Sequence, residues 1–268
     1  MSFTRRPGFG LSLGVTLLGT SLMILLPLAG LALKAVHAKP GTFAAVLSSP
    51  RIQTACLFSL GAALAAALFN LVWGTLIAWV LVRYPFPGRR LADAMVDLPF
   101  ALPTAVAGLT LASLYGPKGW LGHLLPFHLV YNRLGVVLAL SFVSLPFMVR
   151  SIQPVLEELP RDMEEAAACL GASRWATLRR VVLPQLLPAI LSGFALSFAR
   201  AVGEYGSVVF ISGNLPFKTE IAPLLIVVKL EQYDYDGAVA LAVIMLGVSL
   251  LVLTSIHFLN RLGSHRHV

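Results

Sequence analysis

The sequence predicts an all-α integral membrane protein with six transmembrane helices. Three observations carry this reading. Charge is scarce: 12% of the 268 residues are Asp, Glu, Lys or Arg, 57% are hydrophobic, and mean hydropathy is +0.84. A soluble domain carries about 25% charged residues. Six apolar runs fall at 11–34, 55–82, 95–115, 134–153, 187–211 and 238–260, and a spanning helix needs roughly 20 such residues. Basic residues are unevenly shared between alternate loops, as topology-setting charge is.

The first run follows Arg5 and Arg6 and so has the outline of a secretory signal. It is longer than a usual signal core, and no small-residue cleavage site follows it directly, so it reads as a retained span. Residues 1–54 then comprise this helix and an outer, periplasmic loop; 55–260 hold the other five spans; 261–268 form a cytoplasmic tail. Backbone groups in lipid must be satisfied within their own segment, which makes each run a helix. A barrel needs alternating strands of about ten residues, and no such pattern occurs. Pro27, Pro99, Pro103, Pro146, Gly193 and Gly203 fall within the spans, where neighbouring helices can re-satisfy the freed backbone. In the third run, Asp97 fits the cytoplasmic interface. Pro99 and Pro103 fit either packing kinks or the hinge of a gate. Gly108, with Ala105, Ala107 and Ala112, reads as a small-residue helix contact.

With the N-terminus inside, the inner segments hold Arg5, Arg6, Arg83, Arg89, Arg90, Arg150, Arg161, Arg174, Arg179, Arg180, Arg261 and Arg266. The outer loops hold Lys34, Lys39, Arg51, Lys118, Arg133, Lys218 and Lys229. Twelve against seven places both termini in the cytoplasm. The net charge of +8 is thus dispersed through short loops rather than gathered in a nucleic-acid-binding stripe. Cys56 and Cys169 fall on opposite sides, so no disulfide is expected. His123 and His128, and His265 and His267, lack further ligands at metal-site spacing.

The fifth run carries Arg200 and Glu204, one helical turn apart. A charge in a span costs at least about 2.5–3.5 kcal/mol, so both need a reason to be there. Two readings stand, and both can hold. The residues neutralise each other, or they line a translocation pathway in which Arg200 offers donors to a tetrahedral oxyanion while Glu204 prevents overly tight trapping.

The longest inner loop, about 157–188, is unusually mixed. Asp162 is placed to cap a short helix, with Glu164 and Glu165 in its first turn. Ala166 and Leu170 share a face. Gly171 allows a bend or the close approach of another surface. Ser173 can cap a second helix, which Leu183-Pro184 ends, and Pro188 fits near the start of the next span. From these residues alone the loop is either an amphipathic surface helix anchored by Trp175 and its arginines or a docking element for a partner protein.

The pattern Glu165-Ala166-Ala167, three residues, Gly171, nine residues, Val181-x-Leu183-Pro184 resembles the cytoplasmic "EAA" loop of permease subunits of bacterial ABC importers. The stretches 97–116, 149–160 and 197–214 are similar to those of sulfate/thiosulfate permeases, the T-type subunit above all. The molybdate permeases share the loop and a similar Arg–Glu span but are generally shorter at the N-terminus. The resemblance implies a type I ABC importer permease fold with a coupling helix. Glu164, Glu165, Ala166, Ala167, Gly171, Ala172, Leu183 and Pro184 would then form the ATPase-coupling surface. It further implies a heterodimer with a W-type permease subunit, two ATPase subunits and a periplasmic sulfate/thiosulfate-binding protein, in the bacterial inner membrane. No cofactor is expected in this chain: it lacks a GxxxxGK[ST] loop, and ATP and Mg belong to the partner ATPase. Molybdate or tungstate is the alternative cargo. An intramembrane hydrolase would need nucleophile, base or metal groups converging in the spans, which the sequence does not offer. A passive channel would not need the docking loop.

Overall fold

The computed structural model describes residues 9–264, with side chains described through residue 256. Arg5, Arg6, His265, Arg266 and His267 lie outside the described residues, and so does the side chain of Arg261. Helix α1 (Phe9–Val36) is followed by the short α2 (Thr42–Ser48) and then α3 (Pro50–Arg83). Next come α4 (Arg89–Val96), α5 (Leu98–Ala101) and α6 (Thr104–Tyr115). The long α7 (Arg133–Glu158) precedes the loop helix α8 (Asp162–Cys169). The chain ends with α9 (Arg174–Val202), α10 (Gly206–Ile211), α11 (Ala222–Glu231) and α12 (Tyr235–Ser264). Five of these are long and apolar enough to cross a membrane: α1, α3, α7, α9 and α12 up to Ile256. The remaining stretch, the third apolar run, is built around the shorter apolar α6.

The centre of the bundle is α3, α7 and α9 packed on one another. Small residues allow the approach. Ala63, Ala66, Ala67 and Ala78 of α3 are fully buried. A Cβ on Gly74 would stand 2.8 Å from Met148 Cγ, and one on Gly193 would stand 2.9 Å from its sulfur. Both glycines therefore receive the same methionine side chain. A polar tie joins the three helices. Asn70, fully buried, has Nδ2 within 3.0 Å of Ser141 O, 2.9 Å of Ser144 Oγ and 3.1 Å of Ser197 Oγ.

Two of the apolar runs are not single helices. The run at 95–115 is broken at Leu102-Pro103. Both residues are extended (ψ 133° and 134°), because a proline ring disfavours helical backbone in the residue before it. Pro99 is tolerated in the first turn of α5. The run at 187–211 starts earlier than its hydropathy indicates, at Arg174, and stops at Val202. The chain resumes as α10 only after Gly203, Glu204 and Tyr205.

The loop also differs from expectation at three points. Leu183-Pro184 does not end the second loop helix, which runs on without interruption into the span. A π-turn over Leu178–Val182 widens the ladder just before Pro184 and accommodates its missing N–H. Pro188 consequently lies inside the helix rather than near its start. Asp162 is the first residue of α8 rather than its cap. Arg161 precedes it without a side-chain capping bond, and Asp162, Glu164 and Glu165 contribute only their charge to the first turn.

Candidate functional site

The segment 159–182 folds as a helical hairpin against the end of α3. Glu164 turns inward, 2.8 Å from Arg83 Nη2, and the Arg83 side chain is only 9% exposed. The guanidinium also lies 5.8 Å from the centroid of the Trp79 ring, within cation–π range. Arg83 donates to Leu159 O and Arg161 donates to Arg83 O, both at 3.4 Å. One charged anchor thus holds the hairpin to α3.

The bend is made as the glycine foretells. Gly171 has φ +80°. Its N–H donates to Ala168 O at 2.9 Å, and Ala172 N–H reaches back to Ala167 O at 3.0 Å. This pair of bonds is the Schellman closure of a helix, which requires a left-handed residue at that position. Ser173 caps α9, its hydroxyl accepting from Ala176 N–H at 3.3 Å. Glu165, Ala166, Cys169, Leu170 and Gly171 are exposed, and Ala167 and Ala172 are half-buried. Leu170 is 89% exposed and Trp175 69%. Leu183, exposed, and Pro184, half-buried, lie farther on, after the π-turn. The predicted coupling residues therefore divide: Glu164 anchors the hairpin from within, while Glu165, Ala166 and Gly171 face outward beside Leu170. A Cβ on Gly171 would meet nothing within 4 Å, so its outer side is open to a partner.

The second predicted site is also brought together. Arg200 Nη1 stands 2.6 Å from Glu204 Oε2. The other oxygen, Glu204 Oε1, accepts from Ser207 N–H at 2.8 Å. Glu204 is 3% exposed, whereas the Arg200 side chain is 30% exposed. The carboxylate thus spans the break between α9 and α10, satisfying a free amide of one and the cation of the other. The break in the third apolar stretch lies beside it. A Cβ on Gly206 would run into Thr104 Oγ1, and one on Gly108 would overlap the Ser207 carbonyl. The first residues of α6 and α10 are therefore in contact, and the small-residue reading of Gly108 holds.

Reading the sequence missed one constellation. Arg150 of α7 donates through Nε and Nη2 to the two oxygens of Asp97, at 2.9 and 2.6 Å. Its Nη1 donates to Asp93 Oδ1 at 2.7 Å and to Gln153 Oε1 at 2.5 Å, and Nη2 also reaches Asp93 O at 3.0 Å. Gln153 Nε2 donates to Asp93 Oδ1 at 2.9 Å. Five guanidinium hydrogens meet five acceptors, clasping the α4–α5 junction to α7. The hydrogen bond from Gln153 and the neighbouring Arg150 hold the Asp93 carboxyl below its ordinary range. The available signal was two acids spaced i, i+4 at one end of a span facing a lone arginine at the end of another.

A family model described as "Binding-protein-dependent transport system inner membrane component" matches residues 70–263. The chain is 49% identical over 257 residues to the sulfate transport system permease protein CysT of Escherichia coli (strain K12), covering 95% of this chain and 93% of that protein. It is 51% identical over 249 residues to a probable sulfate transport system permease protein cysT of Nephroselmis olivacea, covering 92% and 88%. Among solved structures, a bacterial ABC transporter involved in the import of the acidic polysaccharide alginate superposes with a TM-score of 0.79 at 16% identity, covering 95% and 96%. The MetNI methionine ABC transporter in an inward-facing conformation gives 0.57 at 18%, covering 81% and 98%. The fold is that of the type I ABC importer permeases, and the chain belongs to the family of binding-protein-dependent transport system inner membrane components.

Proposed function

We propose that this chain is the pathway-forming permease subunit of an ATP-driven sulfate/thiosulfate importer. The observation that carries the cargo is identity of about one half, over nearly the whole chain, to proteins named as sulfate transport permeases. Molybdate and tungstate, also tetrahedral dianions, are disfavoured by the same observation. The chain works in a bacterial inner membrane with both termini in the cytoplasm. Its partners are a homologous W-type permease subunit, two ATPase subunits that bind ATP and Mg, and a periplasmic sulfate/thiosulfate-binding protein.

The outward face of the hairpin, Glu165, Ala166, Gly171 and Leu170, docks on an ATPase subunit, and the Arg83–Glu164 anchor passes its movement to α3. Ala167, Ala172, Leu183 and Pro184 set the hairpin's shape and its junction with α9. ATP binding draws the two motors together and turns the pathway outward; hydrolysis returns it inward. This is a rigid-body switch between two states. Arg200, paired but one-third exposed, presents donors to the anion, and Glu204 competes for them so that the cargo leaves again.

Radiolabelled sulfate uptake in a strain lacking the chain tests the cargo. The expected outcome is uptake restored by the chain and undiminished by excess molybdate. Uptake abolished by molybdate would reassign it. For the pathway, Arg200→Gln is expected to lower sulfate uptake at least about tenfold in an assembled complex, since a charge-assisted hydrogen bond contributes roughly 1.5–3 kcal/mol. Wild-type uptake in that variant removes Arg200 from the pathway.

A further inference from the structure

On the inner side of the hairpin lies a cavity of about 540 Å³. Glu164, Ala168 and Ala172 contribute to its wall, and Glu165 and Leu170 do not. The cavity therefore opens away from the outward face that carries Glu165 and Leu170, although Glu164 and Ala172 belong to the predicted coupling set. Its floor is apolar, formed by Leu178 and the buried Val182. Its rim carries Trp79 and Tyr84, where α3 ends. Trp and Tyr side chains are enriched at the headgroup level of membrane-spanning helices.

The charge around the cavity is unbalanced. Glu164 is matched by Arg83. Arg174 also lines the cavity, and among the described residues its guanidinium has neither an ion pair nor a hydrogen bond. Arg83 stands behind this wall and does not itself line the cavity. Its side chain is nine-tenths buried between two lining residues, Trp79 and Glu164, yet its Nε–H has no hydrogen-bond partner among the described residues. An unpaired surface arginine, an aromatic rim and an apolar floor converge on one kind of ligand. It carries a compact anion at one end and hydrocarbon at the other.

We propose that this cavity seats the headgroup of an anionic phospholipid. The phosphate pairs with Arg174, and the first acyl carbons lie on Leu178 and Val182. Basic pockets between spanning helices at the cytoplasmic surface suit such headgroups, and the guanidinium fork suits a phosphate. A seated lipid fills the space between the hairpin and α3, so the stiffness of the motor's attachment depends on the surrounding bilayer. This inference goes beyond the transport reading and involves no cargo.

The test uses the assembled complex in lipid nanodiscs with a photoreactive phosphatidylglycerol, its reactive group placed near the headgroup. Labelled peptides are mapped by mass spectrometry. Labelling at 79–84 and 164–182 is expected to fall about fivefold or more in Arg174→Glu, the scale of one basic residue at an anionic surface. Labelling along α1 serves as the unchanged control. If Arg174→Glu does not assemble, Arg174→Gln carries the test with the same direction of change. A phosphatidylcholine probe is expected to label these peptides weakly. Equal labelling of variant and wild type overturns the proposal, and so does equal labelling by the phosphatidylcholine probe. Displacement by millimolar inorganic phosphate also overturns it, since the seat would then belong to a free anion. Sulfate uptake is not the readout, so failure here leaves the transport reading standing.

Discussion

Gly171 combines a structural role with a proposed docking role, and a single substitution confounds the two. Its backbone is left-handed, which costs an L-residue roughly 1–2 kcal/mol, and its outer side is open to a partner. Asparagine tolerates this backbone better than other side chains, so it tests the surface with less strain. Gly171→Asn is expected to keep the complex folded but weaken co-purification with the ATPase; Gly171→Trp should abolish it. Undiminished co-purification with Gly171→Trp removes the residue from the contact. Asp93 gives a pH test. Its carboxyl is held low in the folded chain by Gln153 and Arg150. The stability it contributes is complete above the unfolded value of about 3.9 and fades as pH falls through the lower folded value. Thermal unfolding at descending pH is expected to lose less in Asp93→Asn than in the unmodified chain. These residues were unequally legible. Gly171 stood out because one backbone conformation selects one residue type. Arg150 counts in the sequence only as an inner-side charge, Asp97 only as an interface residue, and Asp93 does not stand out, because hydropathy reports only that a charge lies near a membrane face and not which side chain it meets.

At the scale of elements, the apolar runs located the helices and misplaced their ends. Hydropathy sees side chains, while the breaks are backbone events. Pro103 extends Leu102, and Gly203 to Tyr205 interrupts a run that is apolar apart from Arg200 and Glu204. Conversely, Leu183-Pro184 has the composition of a stop, yet the π-turn at Leu178–Val182 carries the helix past it. The two breaks meet, so their geometry is coupled. Gly108 packs directly on the Ser207 backbone, and neither side can yield by rotating a side chain. Gly108→Ala is expected to destabilise the α6–α10 contact by about 1–3 kcal/mol, the usual cost of overpacking. It should be read as a lower melting temperature of the complex together with reduced uptake. An unchanged melting temperature would mean that the helices separate freely at this point.

Across the whole molecule, the sidedness drawn from basic residues rested on a modest imbalance. The structure gives a reason for basic residues in the loops assigned to the outer side: several have structural partners. Arg51 donates to both oxygens of the buried Glu220, at 2.8 and 2.5 Å. Lys229 pairs with Asp234 at 2.7 Å, and Arg133 donates to Lys218 O at 3.0 Å. The two free cysteines test the orientation with native residues. Cys169 is exposed on the hairpin, and Cys56 is half-buried near the opposite end of α3. A membrane-impermeant maleimide is expected to modify Cys169 in inside-out vesicles stripped of ATPase and to leave it untouched in intact spheroplasts. Re-adding the ATPase should protect it. Modification in spheroplasts would invert the topology.

The uninterrupted course of α9 has a mechanical corollary. Arg174 stands at the foot of the hairpin and Arg200 near the far end of the same helix, with 26 intervals between them, or about 40 Å at 1.5 Å per residue. In the proposed transport cycle such a shaft would act as a lever: a tilt of about ten degrees at its foot would displace its tip by roughly 7 Å, more than the width of one anion. Two glycines inserted in place of the π-turn would act as a slipping clutch, and nucleotide would then be consumed with little cargo delivered.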